Sequence, residues 1–499
     1  MNPVLALPSR FFGLSPAQAA ILVIALVTSF RLFYCTWLPL LPDEAYYFQW
    51  SRHLDASYFS KGPAVAYTIA AGTALFGANS FGVRFFAVML SAGTAWQMFL
   101  LARRWYDDVT GLVAVLITNV VPIYALGAVV MTIDPLSAFF WIWAANLFSR
   151  AIQEDRLLDW LLTGFAVGCG FLAKYLNALE LVAFLAFLLI VPARRIILKK
   201  PHFWQMLAMA VFCTTPVLWW NWQHGWVTFG ALMNRGHLGH SGPFEIHFST
   251  FAAFIGMQAL VVSPLLFLSL ILTALIVVIQ WRRNKVAKKI EGDLLLLILF
   301  LSVFLMYALL AWHIPCEANW PAVSYLTLVV LMAAQWRKMI ATRTAGQPFI
   351  VITYGLAWLQ TLVMHDTEFL HLPQRMDPMR RVSGWAEIAG HLNDLRQQQQ
   401  ADILVADGYK EASGFSFYLP DKQFVYALRH DPPSTQFDFW PTFPTGAPHR
   451  ILWISDGTST DALQSQFNTI TFVEHIIFSF NGKAYREYTV FLCENKNKS

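Results

Sequence analysis

Apolar residues in this chain fall in long unbroken runs, at about 15–34, 64–78, 82–101, 109–127, 136–149, 157–173, 176–192, 204–220, 249–280, 292–311, 321–336 and 348–364. Helices that bury one face in a soluble core show a polar stripe at the 3.6-residue period, and these runs do not. A helix that crosses a bilayer needs about 20 predominantly apolar residues, so the pattern predicts a mainly α membrane protein. The run at 64–78, AVAYTIAAGTALFGA, is short and follows Gly62-Pro63. The first run, Ala17 to Phe33, lacks a small-residue cleavage site and reads as a retained span.

After His365 the pattern changes. GWAEIAGHLNDLR predicts a helix to about Arg396, ADILVAD a buried strand, and 409–418 a helix. QFVYAL and RILWISD are strand-like, and ITFVEHIIFSF with AYREYTVFLC fits an edge hairpin. Strands interleaved with helices predict a small α/β layer domain. The expected organisation is a transmembrane domain over 1–365 and an extracytoplasmic α/β domain over 366–499.

Composition agrees. Of 499 residues, 57% are hydrophobic and 13% charged, against about 25% charged in soluble domains. Mean hydropathy is +0.49. The net charge of +5 reflects loop bias, and no basic stripe points to nucleic acid. If 64–78 does not cross, Arg10, Arg103-Arg104, Arg150, Arg156, Arg194-Arg195, Lys199-Lys200, the 282–289 cluster, Arg337-Lys338 and Arg343 all fall on one side. The positive-inside rule makes that side cytoplasmic. Eleven spans follow, with the amino terminus inside, 64–78 at the outer interface, and both the 35–81 loop and the carboxyl domain outside. Cys35 and Cys316 then face one oxidising compartment, where a disulfide is permitted, although two unrelated free thiols are expected.

The sharpest chemical signal is LPDEAYYFQWSRHLD from Leu41. Pro42 starts a helix with Asp43 and Glu44 in its first turn. Tyr46, Tyr47 and Trp50 place aromatic faces beside the acids, suited to a cavity or an acceptor. A carboxylate in reach of an attacking hydroxyl serves as general base, with Asp43 first and Glu44 second. Asp134 in VMTIDPL is a further catalytic candidate. The plain alternative is that these acids only start helices. Lys61, Arg84, Lys174 and Arg235 are candidate contacts for a donor phosphate, against a simple snorkelling role. His224, His237, His240 and His247 match no strong zinc spacing and suit a polar loop. His313, Glu317 and Asn319 in WHIPCEANWPA are candidate cavity or acceptor residues. No cofactor is demanded; a divalent metal at the phosphate is compatible, its ligands unknown.

Together DEAYYFQWSRHLD, YFSKGPAVAYTIA, FGVRFFAV, the Asp134 segment, FLAKYLNAL, PVLWWNWQHGW and EANWPA resemble the bacterial polytopic glycosyltransferases related to protein O-mannosyltransferases, which include the aminoarabinose transferases of lipid A. DPMRRVSGWAEIA near 377 is a weaker match. The resemblance implies a GT-C fold in the bacterial inner membrane and an undecaprenyl-phosphate-linked sugar donor. It also implies inverting transfer to an envelope glycan, lipid or protein. It places the first-loop catalytic acid at Asp43, its partner at Glu44, a phosphate contact at Lys61 and the second-loop acid at Asp134. Two prolines common in the family are replaced here by Gly62-Pro63. From the residues alone, a lipid or glycan flippase and an envelope-assembly subunit are the competing readings.

Overall fold

The computed structural model describes residues 13–235, 246–283, 288–342, 346–367, 370, 372–373, 377–444, 449–457, 464, 466–480 and 482–495. The chain divides into two compact units. The first comprises Met1–Cys35, Lys61–Val65 and Arg84–His365, and the second Thr36–Ser60, Ala66–Val83 and Asp366–Ser499. Most of the first outer loop, expected from composition to go with 1–365, thus groups with the carboxyl region.

The first unit is helical. Among the described residues, six helices are long and apolar enough to cross a membrane: Pro16–Tyr34, Ser80–Trp105, Pro201–Gln223, Pro264–Arg283, Ile290–Leu310 and Gly346–His365. Shorter apolar helices include Asp108–Val120, Leu157–Ala173 and Phe248–Val262. Local chemistry sets their starts. Ser15 and Gln18 form a reciprocal capping box, and Asp107 caps the Thr110 amide at 2.8 Å. In Ala322–Ala341, 15 of 20 residues are buried, against three in Pro16–Tyr34. The former is therefore the central helix and the latter a peripheral one.

Two expected continuous runs are broken, which corrects their reading as single spans. The run at 249–280 stops at Val262 and restarts at Pro264, across Ser263 at φ +86°. Pro264 has no N–H to offer the Leu260 carbonyl four residues back, and Gln360 Nε2 donates to that oxygen instead at 2.6 Å. The run at 109–127 breaks at Val121-Pro122, where Thr361 Oγ1 donates to the Val120 carbonyl at 2.8 Å. Neighbouring polar side chains must satisfy such carbonyls where water is absent. Two adjacent residues of Gly346–His365 serve both breaks.

Ion pairs gather the basic loops. Arg337 meets Asp107 at 2.8 Å, Lys200 meets Asp155 at 2.5 Å, and Arg194 meets Glu291 at 2.8 Å. These links join five separate stretches of the chain. All five cysteines are free, Cys35 and Cys316 included.

Among the described residues of the second unit, five strands form one sheet: β1 (Ile403–Ala406), β2 (Tyr426–Ala427), β3 (Arg450–Ser455), β4 (Thr469–Phe480) and β5 (Lys483–Glu494). Their order is β2-β1-β3-β5-β4. β1 pairs in parallel with β2 and β3, whereas β5 runs antiparallel to both β3 and β4. The expected hairpin is present, and its second strand lies inside the sheet with β4 at the edge. Helices Trp385–Gln398 and Tyr409–Tyr418 complete the layer, and helix Pro42–Arg52 packs on the latter.

Candidate active site

In the second unit, Pro42 occupies the first turn of helix Pro42–Arg52 and Glu44 reaches back to accept the Leu41 amide at 3.0 Å. The helix begins here because the fixed φ of proline suits that position and the Glu44 carboxylate satisfies an amide that the helix leaves unpaired. Every residue from Glu44 to Ser51 is buried, while Asp43 is exposed. Glu44 is thus occupied in positioning. Asp43 is the acid of this turn turned outward.

The aromatic residues sit where the helical spacing placed them. Trp50 stacks on Tyr58 with centroids 4.3 Å apart and meets Tyr46 and Tyr47 edge-on at 5.0 Å each. Tyr58 in turn accepts the Asp55 amide at 3.2 Å. Burial raises the Tyr46 and Tyr58 phenols above their ordinary value, so both stay neutral and act as hydrogen-bonding groups.

In the first unit the structure brings together three of the expected residues. Lys174 Nζ lies 2.9 Å from Asp134 Oδ1, and Asn319 Nδ2 donates to Asp134 Oδ2 at 2.7 Å. Lys174 also reaches the Trp320 carbonyl at 3.4 Å. Thr132, and not Asp134, caps helix Ile133–Glu154, accepting the Asp134 amide at 3.2 Å. The Asp134 carboxylate therefore holds Lys174 and Asn319.

Lys174 is aimed by local structure. Helix Leu157–Ala173 ends because Lys174 is extended, and the following turn is pinned by Asn177, which donates to the Ser137 carbonyl at 3.1 Å. Ser137 Oγ donates back to Asn177 Oδ1 at 2.5 Å. Nearby, the Gly62 backbone abuts the Leu172 carbonyl so closely that an added Cβ would lie 2.1 Å from the oxygen. That approach fixes the half-buried Lys61 segment against the end of this helix.

Arg84 is fully buried and donates to the Cys35 carbonyl at 3.2 Å. His224 bonds to the Trp220 carbonyl through Nδ1 at 2.8 Å and stacks on the Trp220 ring, which gives it a helix-closing task. His313 is half-buried and Glu317 exposed on the loop that carries Asn319. Gln258 holds that loop by donating to the Ala318 carbonyl at 3.2 Å. Arg235 closes helix Val227–Arg235, its side chain lying outside the described residues, as do His237 and His240. The backbone of His247 donates to the Trp312 carbonyl at 2.7 Å.

No group of three or more His, Cys, Asp or Glu side chains among the described residues could hold a metal. A cation at Asp134 would have to displace Lys174 and Asn319. The sequence reading missed Arg31, a guanidinium 5% exposed within the first span, which donates to Ser91 at 2.9 Å. A lone charge inside an apolar run is its signal.

Positions 60–220 match the family described as dolichyl-phosphate-mannose-protein mannosyltransferase. The chain is 27% identical to the lipid A galacturonosyltransferase RgtD of Rhizobium johnstonii, over 85% of this chain and 87% of that protein. It is 34% identical to an undecaprenyl phosphate-alpha-4-amino-4-deoxy-L-arabinose arabinosyl transferase of Pseudomonas aeruginosa, over 30% of this chain and 31% of that one. The crystal structure of ArnT from Cupriavidus metallidurans bound to undecaprenyl phosphate superposes with a TM-score of 0.66 at 13% identity, covering 94% of this chain and 97% of that one. The two share a fold.

Proposed function

Because this chain is a relative of the lipid A aminoarabinose and protein O-mannosyl transferases and has their GT-C fold, we propose that it is an inverting glycosyltransferase of the bacterial inner membrane. It takes a sugar from a polyprenyl-phosphate donor and delivers it to an envelope acceptor. The observation that carries the reading is the exposed Asp43 on a helix buried from Glu44 to Ser51, inside a segment whose sequence resembles that family. The lipid A enzymes named above make lipid A the acceptor of choice.

The acceptor hydroxyl oxygen attacks the anomeric carbon. The bond from that carbon to the phosphate oxygen breaks, and the electron pair leaves on polyprenyl phosphate. Asp43 takes the hydroxyl proton as the new bond forms. Lys61, Arg84, Lys174 and Arg235 are the cations assigned to the charge that develops on the phosphate. Such a donor is met at the outer face, so the basic loops lie in the cytosol and the carboxyl domain outside. Lys174 also holds Asp134, so its ammonium serves both the loop and the phosphate.

The test is Asp43→Asn in the full-length protein, read by mass analysis of lipid A and envelope glycans. The expected result is loss of the modification at unchanged protein level. A correctly inserted variant that modifies the envelope normally would exclude Asp43 as the base. A purified protein that releases polyprenyl phosphate from a polyprenyl-phosphate sugar separates this reading from a flippase.

A further inference from the structure

We infer that Gln436 is a positioning residue of the transfer reaction, holding the Asp43 helix through one hydrogen bond and the segment before Lys61 through another; this rests on Asp43 being the base. The first-loop segment and the carboxyl domain belong to one compact unit, so the loop is built onto the sheet domain. Gln436, only 2% exposed, is one joint between them. Its backbone N–H donates to the Tyr46 hydroxyl at 2.6 Å. Its side-chain Oε1 accepts the Phe59 amide at 2.7 Å.

Those two partners are telling. Tyr46 is three residues after Asp43, on the same face of the helix. Phe59 is two residues before Lys61, the proposed phosphate contact. One residue thus ties the helix that carries the proposed base, through its backbone N–H, to the segment that leads to Lys61, through its side chain. The Tyr46 ring is also held between Tyr409, at 4.7 Å, and Phe437, at 6.0 Å.

Gln436 is itself rigidly placed. The Asp438 carboxylate accepts the backbone amides of His430, Ser434 and Thr435 at 2.7, 2.8 and 2.7 Å. The Thr435 hydroxyl adds a fourth bond at 3.1 Å. These bonds brace the turn that presents Gln436. A general base works within about half an ångström of its proper place, and a misplacement of about 1 Å can cost ~100-fold in rate. Helix Pro42–Arg52 has three turns and a proline start, so it depends on such external bonds for its rotation.

The test compares Gln436→Ala, Tyr46→Phe and Gln436→Glu with Asp43→Asn in the full-length protein in nanodiscs. Three quantities are read: lipid A modification in cells, affinity for undecaprenyl phosphate, and hydrogen exchange of the 42–59 amides. Gln436→Ala and Tyr46→Phe are expected to lower modification ~10- to 100-fold and to speed exchange over 42–59. Undecaprenyl phosphate affinity should change less than about twofold, since no donor contact is removed. Gln436→Glu keeps an acceptor for the Phe59 amide and should recover most of the activity. If Asp43→Asn is inactive while Gln436→Ala modifies normally, the positioning role is overturned and the base assignment stands. If Asp43→Asn is active, the base assignment itself falls. Loss of modification in Gln436→Ala without faster exchange over 42–59 also overturns the role, as does failure of Gln436→Glu to recover.

Discussion

Replacing Gly62 by alanine is the strictest test of how the Lys61 segment is seated. A Cβ there would lie 2.1 Å from the Leu172 carbonyl oxygen, 2.7 Å from its carbon and 3.0 Å from its Cα. All three atoms are backbone, so no side chain can swing aside. Ordinary contact begins near 3.4 Å, and the segment must retreat by about 1 Å from the end of helix Leu157–Ala173. Overpacking of this kind costs ~1–3 kcal/mol, or roughly 5- to 150-fold in a folding equilibrium. A proline carries the same Cβ, which explains physically why this chain departs from the two-proline pattern at Gly62. The matched control is Gly256→Ala, in a helix where nothing lies within 4 Å of the new carbon. There the helix preference of alanine should leave stability unchanged or raise it by up to ~1 kcal/mol. The assay is the temperature of half-inactivation in nanodiscs, followed by undecaprenyl phosphate binding, because the retreat carries Lys61 with it. Equal heat resistance of the two variants would refute the close approach.

Lys174→Met should destabilise the first unit by about 3 kcal/mol, the lower end for breaking a buried pair, because the Asp134 side chain keeps 25% exposure. Adding Asp134→Asn should restore part of that loss, and additive effects in the double-mutant cycle would show that the pair is not coupled. Gln360→Leu strands the Leu260 carbonyl beside Ser263-Pro264 and should cost ~1–3 kcal/mol; a thermal midpoint matching the parent would mean that the break is satisfied otherwise. Burial alone would raise the Asp438 carboxyl, but the amides of His430, Ser434 and Thr435 and the His430 ring hold it below its ordinary 3.8. A carboxyl depressed on folding contributes stability at pH values above the unfolded value, and that contribution is lost as pH falls through the folded one. The carboxyl domain should therefore lose heat stability below about pH 4, and Asp438→Asn should lower the neutral midpoint and flatten the acid slope; an unchanged slope would remove Asp438 from the account.

The helices were legible because an apolar run in this chain has one solution, and starts such as Ser15 with Gln18 were written in adjacent residues. Where each helix breaks was harder to read. Pro264 coincides with a break, yet Pro216 lies inside the unbroken helix Pro201–Gln223. What differs at Ser263 is a left-handed backbone and a glutamine from another helix that takes the freed carbonyl. No local pattern shows that partner 100 residues away. The grouping of the first loop with the carboxyl region was hidden for the same reason. Composition assigned residues 36–60 by neighbourhood in the chain, whereas Gln436 binds Tyr46 across 390 positions. Its place at the start of an apolar run picked out Asp134, but its pairing with Lys174 and Asn319 needed coordinates.

The two acids divide the work by what their oxygens touch. Asp134 has one oxygen on an ammonium and the other on an amide, so it joins three chain segments and orients Lys174. An incoming hydroxyl would have to compete with both donors for its lone pairs. Glu44, fully buried, accepts the Leu41 amide and secures the start of its own helix. That arrangement leaves helix geometry to Glu44 and loop geometry to Asp134, with Asp43 the exposed acid of the three. A short helix can offer an acid to solvent on one turn and bury the next eight residues only if another surface receives them. The face of Tyr409–Tyr418 and the Gln436 turn are that surface.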